Sequence, residues 1–274
     1  MVSEDRSLGK MPQARIITSS APLYSAPRND SSLDNEGLFG EAFEVTGSEN
    51  GFAFGSLYTD GYKGWVPLNC LAEKIPNPNA QLIVPMTNVT ADSNIKSSSF
   101  FSLSLGAMVN VVSAQNDRAK ITTPSGYGFI SCRHIRALSK SQNNFERASD
   151  SSADHDWVSL AESFIGSPYK WGGRTAWGLD CSALLQLVLA GNGISVPRDS
   201  GPQHYIGVSI GNRSDLQRGD LVFWHGHVGI MQDHRLLLHA NAHHMAVASE
   251  PLSTAIKRIG AIAGPVTALR RLNF

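Results

Sequence analysis

The chain has 274 residues, 17% of them charged, with 23 Lys plus Arg exactly balanced by 23 Asp plus Glu. That length can bury a substantial core and accommodates one to three domains. The zero net charge argues against a nucleic-acid footprint, and 25 glycines with 13 prolines argue against a helical bundle.

The first twenty residues contain no apolar run like the core of a signal peptide, and no stretch reaches the roughly 18 apolar residues of a membrane span. Cytoplasmic residence without a membrane partner is the resulting expectation. Three cysteines, Cys70, Cys132 and Cys181, form no CxxC pair, which disfavours a disulfide framework or a zinc knuckle.

Residues 15–74 carry short β-branched or aromatic segments (ARIIT, APLYSAP, GEAFEVTG, FAFGSLY, GYKGWVPL) separated by turn residues, the pattern of a small barrel or sandwich. Residues 80–138 repeat a similar order, and GYKGWVPLNCLA and SGYGFISCRHIRA share an aromatic–glycine turn, a short strand and a cysteine. Two related β domains in tandem are therefore expected. Cys70 and Cys132 occupy matching places and read as core-facing thiols. Residues 139–153 are polar and poor in large apolar side chains, as a linker should be.

The remaining stretch, 154–274, opens with Trp157, Leu160, Ala161 and Phe164 at helical spacing, stopped by Gly166 and Pro168. A second helix follows from Cys181. DLVFW, HVGIMQD, RLLLHA and MAVASEP then read as successive antiparallel strands. Helices first and strands second predict an α+β domain.

Cys181 stands where glycine, aspartate and serine give way to an apolar helical run, with Asp180 available as N-cap. Two readings are open at this point. A helix start favours a reactive thiolate, whereas a buried structural cysteine needs no such place. His227 and His239 fall on strands that the Gln232-Asp233-His234 turn could join as a hairpin. A thiol, an imidazole base and a third group fixing that base form the papain-like arrangement. His225 competes for the base position, but His227 opens the strand. His225, His227, His239, His243 and His244 could ligate zinc, yet neither HExxH nor a paired-cysteine knuckle accompanies them, so no metal is expected.

PYKWGG (168–173), GLDCSALL (178–185), VPRDS (196–200), RGDLVFW (218–224), HVGIM (227–231) and LLHANA (237–242) occur in that order. Together they resemble the NlpC/P60-type family of papain-like cell-wall peptidases. DGYKGWVP (60–67) resembles bacterial SH3 modules. The whole layout, two all-β SH3-like barrels followed by an α+β papain-like cysteine peptidase domain, is similar to that of γ-D-glutamyl–L-diamino-acid endopeptidases. Ala183 and Trp224 depart from the glycine and phenylalanine common at those places.

The resemblance implies Cys181 as nucleophile, His227 as base, His239 as the orienting third residue and Tyr169 as an oxyanion-hole donor. It further implies that Asp180, Ser182, Ser200 and Trp171 line the substrate cleft, with Asp180 holding a free substrate amine and Glu41 and Tyr62 closing that end. The implied activity is hydrolysis of the γ-D-glutamyl–diamino acid bond of small murein peptides, without cofactor; oligomeric state is not implied. An amidase or acyltransferase on the same scaffold, or a non-catalytic binder of wall peptides, are the alternative classes.

Overall fold

The computed structural model describes residues 14–138 and 156–273; the expected linker at 139–153 lies outside the described residues. The first region is a seven-stranded antiparallel sheet in the order Leu33–Leu38, Ser20–Tyr24, Lys63–Pro67, Phe52–Leu57, Ala42–Glu49, Ala14–Ile16, Leu71–Ala72. Alternate residues of these short strands point inward, and Ile16, Leu23, Phe43, Leu57 and Val66 form the core of an SH3-like half-barrel. Cys70 is buried in that core. Leu33–Leu38 was not anticipated from the sequence: Asn35, Glu36 and Gly37 carry no apolar alternation, yet all three are buried, Asn35 and Glu36 against Arg198, Lys170 and Arg174 and Gly37 against Ile16 and Leu57 of its own core.

Residues 80–137 form a five-stranded and a three-stranded antiparallel sheet around Leu82, Val89, Leu103, Val109, Ile121 and Ile130. Cys132 packs against this cluster half-buried. Phe39, from the first region, inserts into the same core. The turn that delivers it requires glycine next, because Gly40 has φ +78° and a Cβ there would lie 1.9 Å from the Met108 carbonyl oxygen.

The third region contains α1 (Trp157–Glu162), α2 (Cys181–Gly191), α3 (Ser200–Gln203), α4 (Leu252–Ala263) and a six-stranded antiparallel sheet. That sheet runs Val208–Ser209, Ala268–Arg271, Leu221–Trp224, His227–Met231, Leu236–Asn241, Ala246–Pro251. Residues alternate across it: Leu221 and Phe223 face α2, whereas Val222 and Trp224 face α4. α2 is buried almost all round, since Leu38 and Leu105 from the preceding regions join the core it shares with the sheet. This α+β layout is consistent with a papain-like fold. α4 was not anticipated, although Leu252, Ala255, Ile256 and Ile259 have helical spacing and three of the four are buried.

Candidate active site

Cys181 is the first residue of α2, and Asp180 caps the helix by accepting a 2.9 Å hydrogen bond from the Ala183 N–H. The thiol is only 9% exposed. Burial and, next, the Asp180 charge push its pKa up to about 12, against smaller downward effects of the Val228 and Ser182 backbone N–H groups. Cys181 thus meets the residue that follows His227. His227 lies at the start of its strand, and its Nε2 is 2.7 Å from His239 Nδ1. Burial, reinforced by Arg258, lowers His227 to about 4.

His239 is fully enclosed, and its Nε2 lies 2.8 Å from Glu250 Oε1. Burial, then the neighbouring His227, Arg258, His244 and His243, push His239 down to about 2. Arg258, from α4, pairs with the same carboxylate. His225 sits exposed in the turn before the strand. Glu250 and Arg258 were not singled out in the sequence, where nothing local marks either as a partner of a histidine.

Tyr169 is half-buried, pairs with Leu179 in a parallel bridge, and lies close enough to Cys181 and Asp180 to feel both charges. Burial and those two neighbours raise its hydroxyl to about 12, so it remains a hydrogen-bond donor at neutral pH. Trp171 is 68% exposed on the same segment. Ser200 opens α3 half-buried, beside exposed Asp199.

Asp180 and Ser182 are engaged within the protein. Asp180 accepts from Ala183 N, Gly172 N, Ser182 Oγ and both terminal nitrogens of Arg198. Its charge is met by a buried guanidinium, and its acceptor sites are filled from within the protein. The Ser182 hydroxyl is likewise spent, donating to Asp180 at 3.1 Å and accepting from Arg198 at 2.9 Å.

Glu41 is also committed. It is 1% exposed and accepts from Arg174 Nη1 at 2.8 and 3.0 Å, from Leu38 N and from Thr59 Oγ1. A carboxylate so paired stays in the seam between the regions and does not offer itself to a ligand. Glu36 joins the seam through Lys170 Nζ at 2.5 Å and Arg174 N at 2.9 Å, and Arg198 reaches Asn35 Oδ1 at 2.7 Å.

Tyr62 is half-buried against the first-region core and within range of the charges of Asp199, Asp34, Arg198 and Asp180. Burial, then Asp199 and Asp34, raise its pKa to about 12. Asp199 is itself raised, first by burial and further by Asp180, Asp60 and Asp34, with Arg198 opposing. Asp34 and Asp199 are thus acids in range of Tyr62, and neither was singled out in the sequence. Asp199 lies inside the VPRDS motif next to Ser200, which was the available signal.

One set of potential metal donors exists among the described residues: His239, His244 and Glu250, with ligand atoms within 4.8 Å of one another. Two of the three are already engaged, His239 at both ring nitrogens and Glu250 by Arg258.

Residues 166–259 match the NlpC/P60 family, and residues 23–71 match the bacterial dipeptidyl-peptidase Sh3 domain. A gamma-D-glutamyl-L-lysine dipeptidyl-peptidase of Bacillus cereus is 28% identical over 171 residues, 60% of this chain and 50% of that protein. Its Bacillus subtilis namesake is 24% identical over 205 residues, 71% of this chain and 65% of that protein. The matches thus span half to two-thirds of these relatives' own lengths. The crystal structure of an NlpC/P60 family protein from Bacillus cereus superposes with a TM-score of 0.76 over 94% of this chain and 99% of that one, at 23% identity, which shows a shared fold.

The family match overturns the expectation of cytoplasmic residence, because NlpC/P60 peptidases are characteristically extracytoplasmic, periplasmic or cell-wall enzymes. The missing signal-like run was a weak basis for it, as nothing about export follows from where this sequence begins. Residues 166–259 are an NlpC/P60-family cysteine peptidase domain, preceded by an SH3-like domain, in a chain related to the gamma-D-glutamyl-L-lysine dipeptidyl-peptidases.

Proposed function

We propose that this protein is a cysteine endopeptidase that hydrolyses the γ-D-glutamyl–diamino acid amide of free murein peptides with an N-terminal L-alanine. The observation that carries the reading is the meeting of Cys181, at a helix start, with the strand bearing His227 and its partner His239. Burial makes the separate ions costly, so thiol and imidazole rest neutral and the proton passes to His227 as sulfur attacks the scissile carbonyl. The Tyr169 hydroxyl and the Cys181 N–H stabilise the oxyanion; one such donor is worth about 2.7–4 kcal/mol in the transition state. His227 then protonates the leaving amine of the diamino acid, and water releases the L-alanyl-D-glutamate product from the thioester.

Preference for a free amine follows from the acid cluster. Asp34 and Asp199, both raised by burial and the latter further by its acidic neighbours, gain from an ammonium placed beside Tyr62. A stem peptide still joined to sugar brings an uncharged, bulkier amide instead. We read residues 15–74 and 80–138 as tandem SH3-like domains and 154–274 as the peptidase domain. The buried Arg174–Glu41 and Arg198–Asn35 contacts then make the first SH3-like domain a wall of the cleft.

The test is mass spectrometry after incubation with L-Ala-γ-D-Glu-L-Lys and its diaminopimelate counterpart. L-Ala-D-Glu and free diamino acid are expected, and neither with Cys181→Ala. Cleavage at another bond, or equal turnover by Cys181→Ala, contradicts the reading.

A further inference from the structure

We infer that Glu250, anchored by Arg258, is a positioning residue that selects the tautomer and supports the charge of His227 through His239. The inference rests on reading His227 as the base. His239 pairs with Ala248 across the sheet, so Glu250 is its diagonal neighbour on the next strand. The strand on the other side pairs at Ile230↔Leu238, and from it His227 Nε2 reaches His239 Nδ1. The three side chains form a row across three strands, with contacts of 2.7 and 2.8 Å.

Hydrogen-bond polarity fixes the protons along this row. Glu250 is buried and forms an ion pair with the Arg258 guanidinium, and a carboxylate in such a pair only accepts. His239 must therefore carry its proton on Nε2 and donate it to Glu250. Nδ1 of neutral His239 is then an acceptor, so His227 must carry its proton on Nε2 and donate it to His239. Nδ1 of His227 is left as the basic nitrogen. When that nitrogen takes the thiol proton, the imidazolium faces a lone pair of His239 with the Glu250 charge behind it. No proton leaves His239; the row orients and polarises. This extends the orienting role beyond the single third residue to a buried carboxylate on the neighbouring strand.

The charged and titratable groups around His239 and Glu250 are His227, His243 and His244 from the sheet side and Arg258 from α4, with Cys181 beyond His227. Among them Glu250 is the anion in contact with His239, so removing its charge destabilises the imidazolium and the thiolate paired with it.

The test is the pH dependence of iodoacetamide alkylation of Cys181 in the full chain. With thiol and imidazole neutral at rest, the acid-side midpoint of alkylation follows loss of the proton from His227, and Glu250→Gln should lower it by about half to one pH unit. Arg258→Gln keeps the carboxylate and removes a cation, so its midpoint should stay at or above the wild-type value. If a stranded guanidinium keeps Glu250→Gln from folding, as judged by circular dichroism, Glu250→Gln/Arg258→Gln carries no unpaired charge, and its midpoint should lie below that of Arg258→Gln by a similar amount. A Glu250→Gln midpoint equal to wild type, a double variant equal to Arg258→Gln, or an equal fall in Arg258→Gln overturns the inference. Alkylation needs no peptide, so failure to cleave murein peptides leaves this test standing. An unmoved curve in a peptide-cleaving enzyme removes the positioning role alone.

Discussion

Arg198 clasps Asp180 with two hydrogen bonds, Nη1 to Oδ1 at 2.9 Å and Nη2 to Oδ2 at 2.7 Å, and both side chains are almost wholly buried. The aspartate before the cysteine is thereby a helix cap with its own counterion. Removing one member strands the other. Arg198→Met should cost about 3–5 kcal/mol of unfolding free energy in urea. Combined with Asp180→Asn, it should cost less than the two single changes summed, by about 1–3 kcal/mol. Strict additivity would mean that the pair is not coupled.

Exposure and activation rank the three thiols differently. Cys181 and Cys70 are buried and Cys132 is half-exposed, so labelling governed by access alone would favour Cys132. Iodoacetamide should instead modify Cys181 first in the native protein, identified by peptide mapping. Faster labelling of Cys132 would show that Cys181 is an inert core thiol.

The histidines should separate by role. His227→Ala should lower kcat/KM by about two to four orders of magnitude, the range of a lost general base. His239→Ala should cost less, because His239 moves no proton, and His225→Ala should leave turnover near wild type. A crippling His225→Ala with a mild His227→Ala would reverse the assignment of the base.

Acid should destabilise the fold through the same histidines. The pKa of His227 is lowered to about 4 and that of His239 to about 2, below the unfolded value of 6.5. Between those values the unfolded chain binds more protons, so stability is intact above pH 6.5 and falls as pH drops. Each histidine contributes a slope of up to about 1.4 kcal/mol per pH unit. Urea unfolding at pH 7, 5.5 and 4.5 should show a steeper loss in the wild type than in His239→Gln; parallel losses would place the acid sensitivity elsewhere.

The elements that were legible in sequence are those whose signals are local. Cys181 at its helix start, the His227 strand and the first β region all declare themselves by capping residues or alternation. The Leu33–Leu38 strand does not, because its buried face is polar and its partners, Lys170, Arg174 and Arg198, lie more than a hundred residues away. The partners of Asp180 and Glu41 were equally hidden. A sequence displays their charges but not the guanidinium groups that neutralise them. Asp34, Asp199 and Glu250 gained importance only when folding left the first two beside Tyr62 and the third behind His239.

The most direct test of the proposed function is the rate ratio for free and N-acetylated L-Ala-γ-D-Glu-L-Lys. Acetylation removes the ammonium charge and leaves the scissile amide untouched. Loss of a charge-assisted hydrogen bond beside a stranded carboxylate should lower kcat/KM by about 2–5 kcal/mol, roughly 30- to several-thousand-fold. Asp199→Asn and Asp34→Asn should each narrow that gap by slowing the free peptide more than the acetylated one. Equal kcat/KM for the two peptides on the wild-type enzyme would contradict the free-amine site and with it the preference for free murein peptides.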